Sequence, residues 1–195
     1  MKKLPRSFYF RHTLTVAKEL LGKFLVRKMG RQLLVGKIVE VEAYLGEKDP
    51  ASHAYRGQTK RNEVMFRQGG HLYVYFTYGM HFCANIVTRE EGKGEAVLIR
   101  AVEPIEGVEV MMKNRGFTGD ESDYWNVTNG PAKLCEAFGI QRGQNGMDLL
   151  GDEIFVARRA TIPKSLICSS TRIGIKNATG KRWRFFVGGN RFVSR

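Results

Sequence analysis

The sequence predicts an α+β fold: a single compact domain with a curved, largely antiparallel β-sheet, peripheral helices and a protruding β-hairpin. Three observations predict it. Stretches with strand character outnumber those with helical periodicity. Consecutive strand stretches lie close together along the chain, which favours antiparallel neighbours over long parallel crossovers. The helical stretches are short and punctuated by glycine or proline. The 195 residues suit one domain spanning residues 1–195, and no repeat, low-complexity run or linker divides them.

In chain order, a helix covers Thr13 to Leu21 with Gly22 as its stop, and a strand follows through Lys23 to Arg27. Gln32 to Tyr44 reads as a turn and then a strand. Glu47 to Arg67, rich in Lys, Arg, Asn and Gly, reads as a polar loop or short-helix region. His71 to Thr77 and His81 to Thr88 are two strands joined around Tyr78, Gly79 and Met80, a hairpin. Ala96 to Val102 is an apolar strand. Pro104 stands at a first helical position and leads a helix to about Asn114. Gly130-Pro131 opens another helix, PAKLCEAF, stopped by Gly139. From Glu153 onwards IFVAR, TRIGI, RWRFFVGG and RFVSR read as strands.

Charge narrows the partners. Lys+Arg number 32 against 19 Asp+Glu, a net of +13, which points to a polyanion. Before Glu40 the sole acid is Glu19, and after Glu153 there is none. Two basic ends around a mixed middle can meet in one positive face. The tail also carries Phe155, Val156, Trp183, Phe185 and Phe186, so it is expected to fold with its charges on strands. At 43% hydrophobic residues the chain can build a core without metal or disulfide staples. The start, MKKLPRSFYF, lacks the apolar stretch of a signal peptide, and no apolar run reaches membrane-spanning length. Cys83, Cys135 and Cys168 form no CxxC and read as buried thiols of a reducing cytosol. His12, His53, His71 and His81 do not cluster with them, so no zinc site is expected.

Chemistry concentrates in three places. On the strand Lys37 to Leu45, alternation puts Val39, Val41 and Ala43 on one face and Ile38, Glu40, Glu42 and Tyr44 on the other. Two carboxylates two residues apart repel unless an Arg or Lys lies between them, and one in a cleft suits a general base for water. They also suit an ordinary half-solvated strand. Arg100, ending the apolar AVLIR, needs a carboxylate partner, and Glu42 is a candidate. Second, Tyr78 at the hairpin apex has no core to enter and can act as a minor-groove wedge, with Tyr75 and Asn85 lower on the arms as pocket walls. Tyr73 and Phe76 read as core. Third, Arg56, Thr59, Lys60, Arg61 and Asn62 suit phosphate contacts, or simply a solvated basic loop.

At these residues the chain resembles a known family, the 3-methyladenine DNA glycosylases of the alkyladenine type. The resemblance spans nearly the whole chain, through IVEVEAYLG, ASHAYRGQTKRNEVMF, LYVYFTYGMHFCANIV, AVLIRAVEPIEG, NGPAKLCEAFGI, TRIGI and WRFFVGGNRFVSR in the family's order. It implies that Glu42 deprotonates the attacking water, held also by Arg100 and the main-chain carbonyl of Ile173. It implies that Tyr44, His53 and Tyr75 wall the flipped base and that Asn85 disfavours the exocyclic amino group of guanine. Tyr78 matches the intercalating tyrosine. Thr59, Arg61, Met65, Met80 and His81 fall where the family touches DNA. Lys60 and His81 depart from some members' proline and tyrosine, and Lys113 to Thr128 reads as a shortened loop. The implied activity is metal-free, cofactor-free hydrolysis of the N-glycosidic bond of alkylated or deaminated purines in duplex DNA. The enzyme is expected to be a monomer that leaves an abasic site, and to work in a bacterial cytoplasm or a eukaryotic nucleus. Two other functions share some features: a non-enzymatic minor-groove or RNA binder, and a glycosidase of free nucleosides. The carboxylates are poor chemistry for the first, because acid near a phosphate site weakens binding. The second needs neither the +13 nor the apical tyrosine.

Overall fold

The computed structural model describes residues 1–118 and 121–194. The elements run α1 (Arg6–Tyr9), α2 (Thr13–Leu20), β1 (Phe24–Met29), β2 (Gln32–Leu45), β3 (Leu72–Thr77), β4 (His81–Thr88), β5 (Glu95–Glu106), α3 (Val108–Asn114), α4 (Glu121–Asn126), α5 (Pro131–Ala137), β6 (Ile154–Ala157), β7 (Ile167–Ser170) and β8 (Arg184–Val187). All eight strands belong to one antiparallel, unclosed sheet in the order β3-β4-β5-β2-β1-β6. The long strand β2 is its axis. One edge pairs with β5 along its length, while the other pairs first with β1 and then, at Glu40 to Glu42, with β8. Strand β8 also carries β7.

α2 forms because Thr13, Val16, Ala17 and Leu20 recur at helical spacing and all are buried. It packs on β2 and β5. Strand β2 is buried without alternation from Ile38 to Ala43, because elements cover both of its faces. Its register with β5 slips twice and recovers: Val39 and Arg100 have no partner between the pairs Ile38–Val102, Glu40–Ala101 and Val41–Ile99. A bulge of this kind turns a side chain out of alternation. Here it lets Arg100, next to the fully buried Ile99 and Ala101, reach the carboxylates of β2.

Several expectations are corrected. Pro104 opens no helix; it lies in β5 opposite Gly36, beside another register shift. Helix α3 begins only after Gly107, whose φ of +75° turns the chain where an added Cβ would stand 2.5 Å from the Leu33 carbonyl oxygen. The stretch Lys113 to Thr128 contains α4 rather than only a loop, with Gly119 and Asp120 outside the described residues. Its Tyr124 and Trp125 pack against Phe192, with ring centres 5.4 and 5.1 Å away. TRIGI and the described residues 191–194 of RFVSR are not strands. Among the described residues of the tail, Arg184 is the one cation on a strand; Lys164 opens a short 3-10 helix, the others occupy turns and loops, and Arg195 lies outside the described residues. Strand pairing needs backbone partners, which the described tail finds on β1, on β2, within β7–β8 and in an isolated bridge from Ala157 to Lys3. Phe76 is exposed instead of core, and Cys168 is exposed while Cys83 and Cys135 are buried.

The two basic ends do meet. Leu4 N–H donates to Val156 O at 2.9 Å and Arg158 N–H to Lys2 O at 2.8 Å. Among the described residues no helix is long and apolar enough to cross a membrane.

Candidate active site

Glu42 is completely buried in the middle of the sheet. Ile173 N–H donates to its Oε1 at 2.8 Å, Arg100 Nη1 lies 3.2 Å from the same oxygen, and Tyr44 O–H donates to Oε2 at 2.8 Å. The half-solvated strand is therefore ruled out for this pair of acids: Glu40 is equally buried. Glu40 accepts from Arg100 Nε at 2.8 Å, Arg184 Nε at 2.6 Å, and Ser194 through its hydroxyl and N–H. The two carboxylates thus tolerate each other because Arg100 bridges them. Glu40 is the structural member, tying β2, β5, β8 and the C-terminal turn together. Glu42 is the one whose partners, Tyr44, Arg100 and Ile173, all line a cavity.

That cavity measures about 560 Å³, within the range of ligand pockets. Tyr44 comes from β2, Tyr75 and Asn85 from the hairpin arms, and His53 and Met65 from the loop between β2 and β3. The His53 and Tyr75 rings meet edge to face with centres 4.5 Å apart. Tyr73, expected in the core, is also a wall: it stacks on Tyr75 at 5.6 Å and its hydroxyl lies 3.1 Å from His53 Nδ1. The signal was present, since Tyr73 and Tyr75 alternate onto one face of β3. Asn85 Nδ2 donates to Tyr73 O at 3.3 Å.

The aromatic walls carry no charge near neutral pH. Burial, then the Glu42 charge, pushes the Tyr44 hydroxyl far above the ordinary range; burial and Cys83 do the same for Tyr75, and burial pushes Tyr73 up to about 12. The surrounding protein, with the Arg61 guanidinium, holds His53 below the ordinary histidine range. A slot of neutral aromatic faces suits a flat heteroaromatic ring.

The loop that carries His53 is held by Asn62. Its side chain donates to His53 O at 2.8 Å and Gly57 O at 3.0 Å and accepts from Thr59 N–H at 2.6 Å. Asn62 is buried and thus no phosphate contact, whereas Arg56, Thr59, Lys60 and Arg61 are exposed. Met65 is a buried wall residue, and His81 is half-buried at the start of β4. The Ile173 contact to Glu42 is made by its N–H. Two residues escaped the sequence reading altogether. Arg172 and Asp49 form a buried ion pair behind Tyr44, and no spacing or motif announces that pairing across the chain.

Above the cavity stands the hairpin tip. Tyr78 is 83% exposed and Met80 69%, while Phe76 rests against Phe82 below them. Tyr78 and Gly79 both take positive φ, +51° and +69°, in the turn that joins β3 to β4. Glycine adopts this conformation freely, whereas for tyrosine it costs about 1 kcal/mol or more. Among the described residues no group of three His, Cys, Asp or Glu side chains is placed to hold a metal ion.

A basic α+β domain whose buried acid is held by residues that wall an aromatic slot has the make-up of a DNA-repair glycosylase. Comparison with known proteins agrees. The model of the methylpurine-DNA glycosylase family matches residues 7–191. A protein of Carboxydothermus hydrogenoformans named "Putative 3-methyladenine DNA glycosylase" is 48% identical over 193 residues, 98% of each chain. One of the same name from Chlorobium phaeobacteroides is 49% identical over 195 residues, 100% of this chain and 96% of that one. Another from Methanoculleus marisnigri is 47% identical over 195 residues, again 98% of each. This chain belongs to the methylpurine-DNA glycosylase family, whose members act on alkylated bases in DNA and serve base-excision repair.

Proposed function

We propose that this chain releases alkylated or deaminated purines from duplex DNA, the group of 3-methyladenine, 7-methylguanine, hypoxanthine and etheno-adenine, by hydrolysis of the N-glycosidic bond. The observation that carries the proposal is the hydrogen-bonding of Glu42. A carboxylate offers about four acceptor positions. Ile173 N–H and Arg100 occupy Oε1, and Tyr44 takes one position on Oε2. Oε2 therefore keeps the capacity to take a proton from a water on the cavity side. The exposed Tyr78 enters the minor groove and the damaged nucleotide rotates into the slot between Tyr44, His53 and Tyr75. The water's oxygen bonds to the anomeric carbon, its proton goes to Glu42, and the glycosidic electron pair leaves with the base. Glu42 and Arg100 are held in place beforehand, so little reorganisation is needed as charge develops on the sugar. Asn85 lines the same slot, where its amide disfavours an exocyclic amino group. Thr59, Arg61, Met80 and His81 hold the flanking duplex, together with the basic loops of the tail.

The product is an abasic site on an uncut strand. The cation against Glu42 is Arg100, which is no amine nucleophile, and Lys176 sits exposed at the cavity rim rather than beside the acid. The enzyme works as a monomer, without metal or cofactor, at the nucleoid of a bacterial cell or in a eukaryotic nucleus. The test is to incubate the purified chain with duplex DNA bearing single alkylated purines, in chelator. Free purine base and an alkali-labile abasic site are expected, with no adduct trapped by borohydride. A borohydride-trapped adduct overturns the single-step hydrolysis, and absence of released base overturns the activity.

A further inference from the structure

Behind Tyr44 lies a charge pair that no step of the hydrolysis uses. Arg172 Nη1 and Nη2 donate to the two oxygens of Asp49 at 2.5 and 2.8 Å, both side chains sealed from solvent. The guanidinium carbon sits 4.7 Å from the centre of the Tyr44 ring and 5.2 Å from that of Trp183, so the cation is held between two aromatic rings. Nη1 also donates to Ala43 O at 2.9 Å, which fixes it to β2. Asp49 in turn accepts Leu45 N–H at 3.3 Å and Ala51 N–H at 3.2 Å, so the acid is held against its partner. Tyr44 lines the cavity and Arg172 does not, so the guanidinium stands on the far side of the ring from the slot.

Such a pair sets the charge felt through the ring. A lone guanidinium behind Tyr44 would engage the ring's negative face and repel a cation stacked on the other side; a lone carboxylate would do the reverse. Together they cancel. The cancellation extends across the buried floor, where Glu40, Glu42 and Asp49 meet Arg100, Arg172 and Arg184. We propose that Arg172 is a positioning residue that acts through Tyr44, and that Asp49 keeps this stacking wall electrically neutral, so that cationic alkylated purines and neutral deaminated purines are both accepted. The inference rests on the base-excision reading above. A base stacked on Tyr44 lies about 8 Å from the guanidinium. At an effective dielectric of about 20, one uncompensated charge at that distance changes a cation's stability roughly ten- to thirty-fold.

The test is the ratio of single-turnover rates on duplexes carrying 7-methylguanine, a cation, or hypoxanthine, which is neutral. Asp49→Asn leaves the arginine uncompensated and is expected to lower the ratio at least about ten-fold. Arg172→Gln leaves the carboxylate and is expected to raise it by a similar factor. The double variant Asp49→Asn/Arg172→Gln, with a neutral pair of similar shape, is expected to return it to within about two-fold of wild type. Arg172→Lys keeps the charge and loses the two-pronged geometry, so both rates fall and the ratio holds. The ratio is read within one preparation, so a fraction of unfolded protein cancels. If Asp49→Asn and Arg172→Gln, the two variants that change the charge, slow both reactions with an unshifted ratio, the proposal is overturned and the pair is a purely structural clamp. If a single variant does not fold, the lysine and double variants decide, because a shifted ratio in either one contradicts charge as the cause. A wild-type chain that releases neither base sinks the base-excision reading itself, whereas active wild type with unshifted ratios sinks only the charge pair.

Discussion

The floor of the cavity and the tip of the hairpin are built on opposite principles. At the floor the acids are buried and matched: Glu40 and Glu42 are both wholly inaccessible, and Arg100, the partly buried Arg184, Ser194, Tyr44 and Ile173 converge on them. At the tip, Tyr78 and Met80 stand in solvent on a left-handed turn. A buried charge network holds its groups where they are, since moving one strands its partner in a poor solvent. An exposed aromatic tip is costly to leave in water and contributes little to the fold. On the function proposed above, the difference separates the region that positions reacting atoms from the one that meets DNA.

The comparison breaks most sharply at Glu42. Glu42→Gln keeps the shape but cannot take the water's proton, and base release is expected to fall at least about a thousand-fold. Binding to undamaged duplex is expected to change less than about two-fold, as read by anisotropy. Retained base release would remove Glu42 from its role. The neighbouring acid should respond differently. Glu40→Ala leaves Arg100 and Arg184 without their shared carboxylate, and a loss of about 3–5 kcal/mol in urea unfolding is expected. A loss below about 1 kcal/mol would mean that the floor is less tightly matched than its distances imply.

At the tip the order reverses. Tyr78→Ser is expected to leave unfolding within about 0.5 kcal/mol of wild type, because the side chain touches no core. It is expected to weaken lesion-containing duplex about ten-fold more than plain duplex, the signature of a wedge filling an emptied stack. Equal weakening of both duplexes argues against the wedge. The smallest effect concerns His53. Its folded value lies below the ordinary one, so the unfolded chain binds more protons as pH falls through about 6.5. The neutral form contributes stability that is present above that pH and lost below it. His53→Gln is expected to flatten the decline of melting temperature between about pH 7 and 5; an unchanged decline assigns it to other groups.

How much of this was legible in advance depends on the range of the signal. Glu42, Tyr44 and the hairpin were readable because alternation and a turn act over a few residues. Pro104 was misread as a helix start, because the local cue was outweighed by pairing with Gly36 on another strand. Tyr73 was assigned to the core, and it is indeed buried, but the cavity reaches it from the loop of His53. The bulge that aims Arg100 depends on the mismatch between β2 and β5, which neither strand reveals alone.

The +13 charge, the antiparallel class, the hairpin with its aromatic apex and the acids of β2 were determined by the sequence itself, since composition and short-period patterning state them directly. The tertiary structure alone decided that the partners of Glu42 line the cavity, that Arg184 and Ser194 return from the far end of the chain to Glu40, and that Arg172 finds Asp49 behind Tyr44. These contacts span 123 residues or more of chain. The physical reason is that a buried charge takes its partner from whatever the fold brings within hydrogen-bond reach, and sequence spacing carries no record of that.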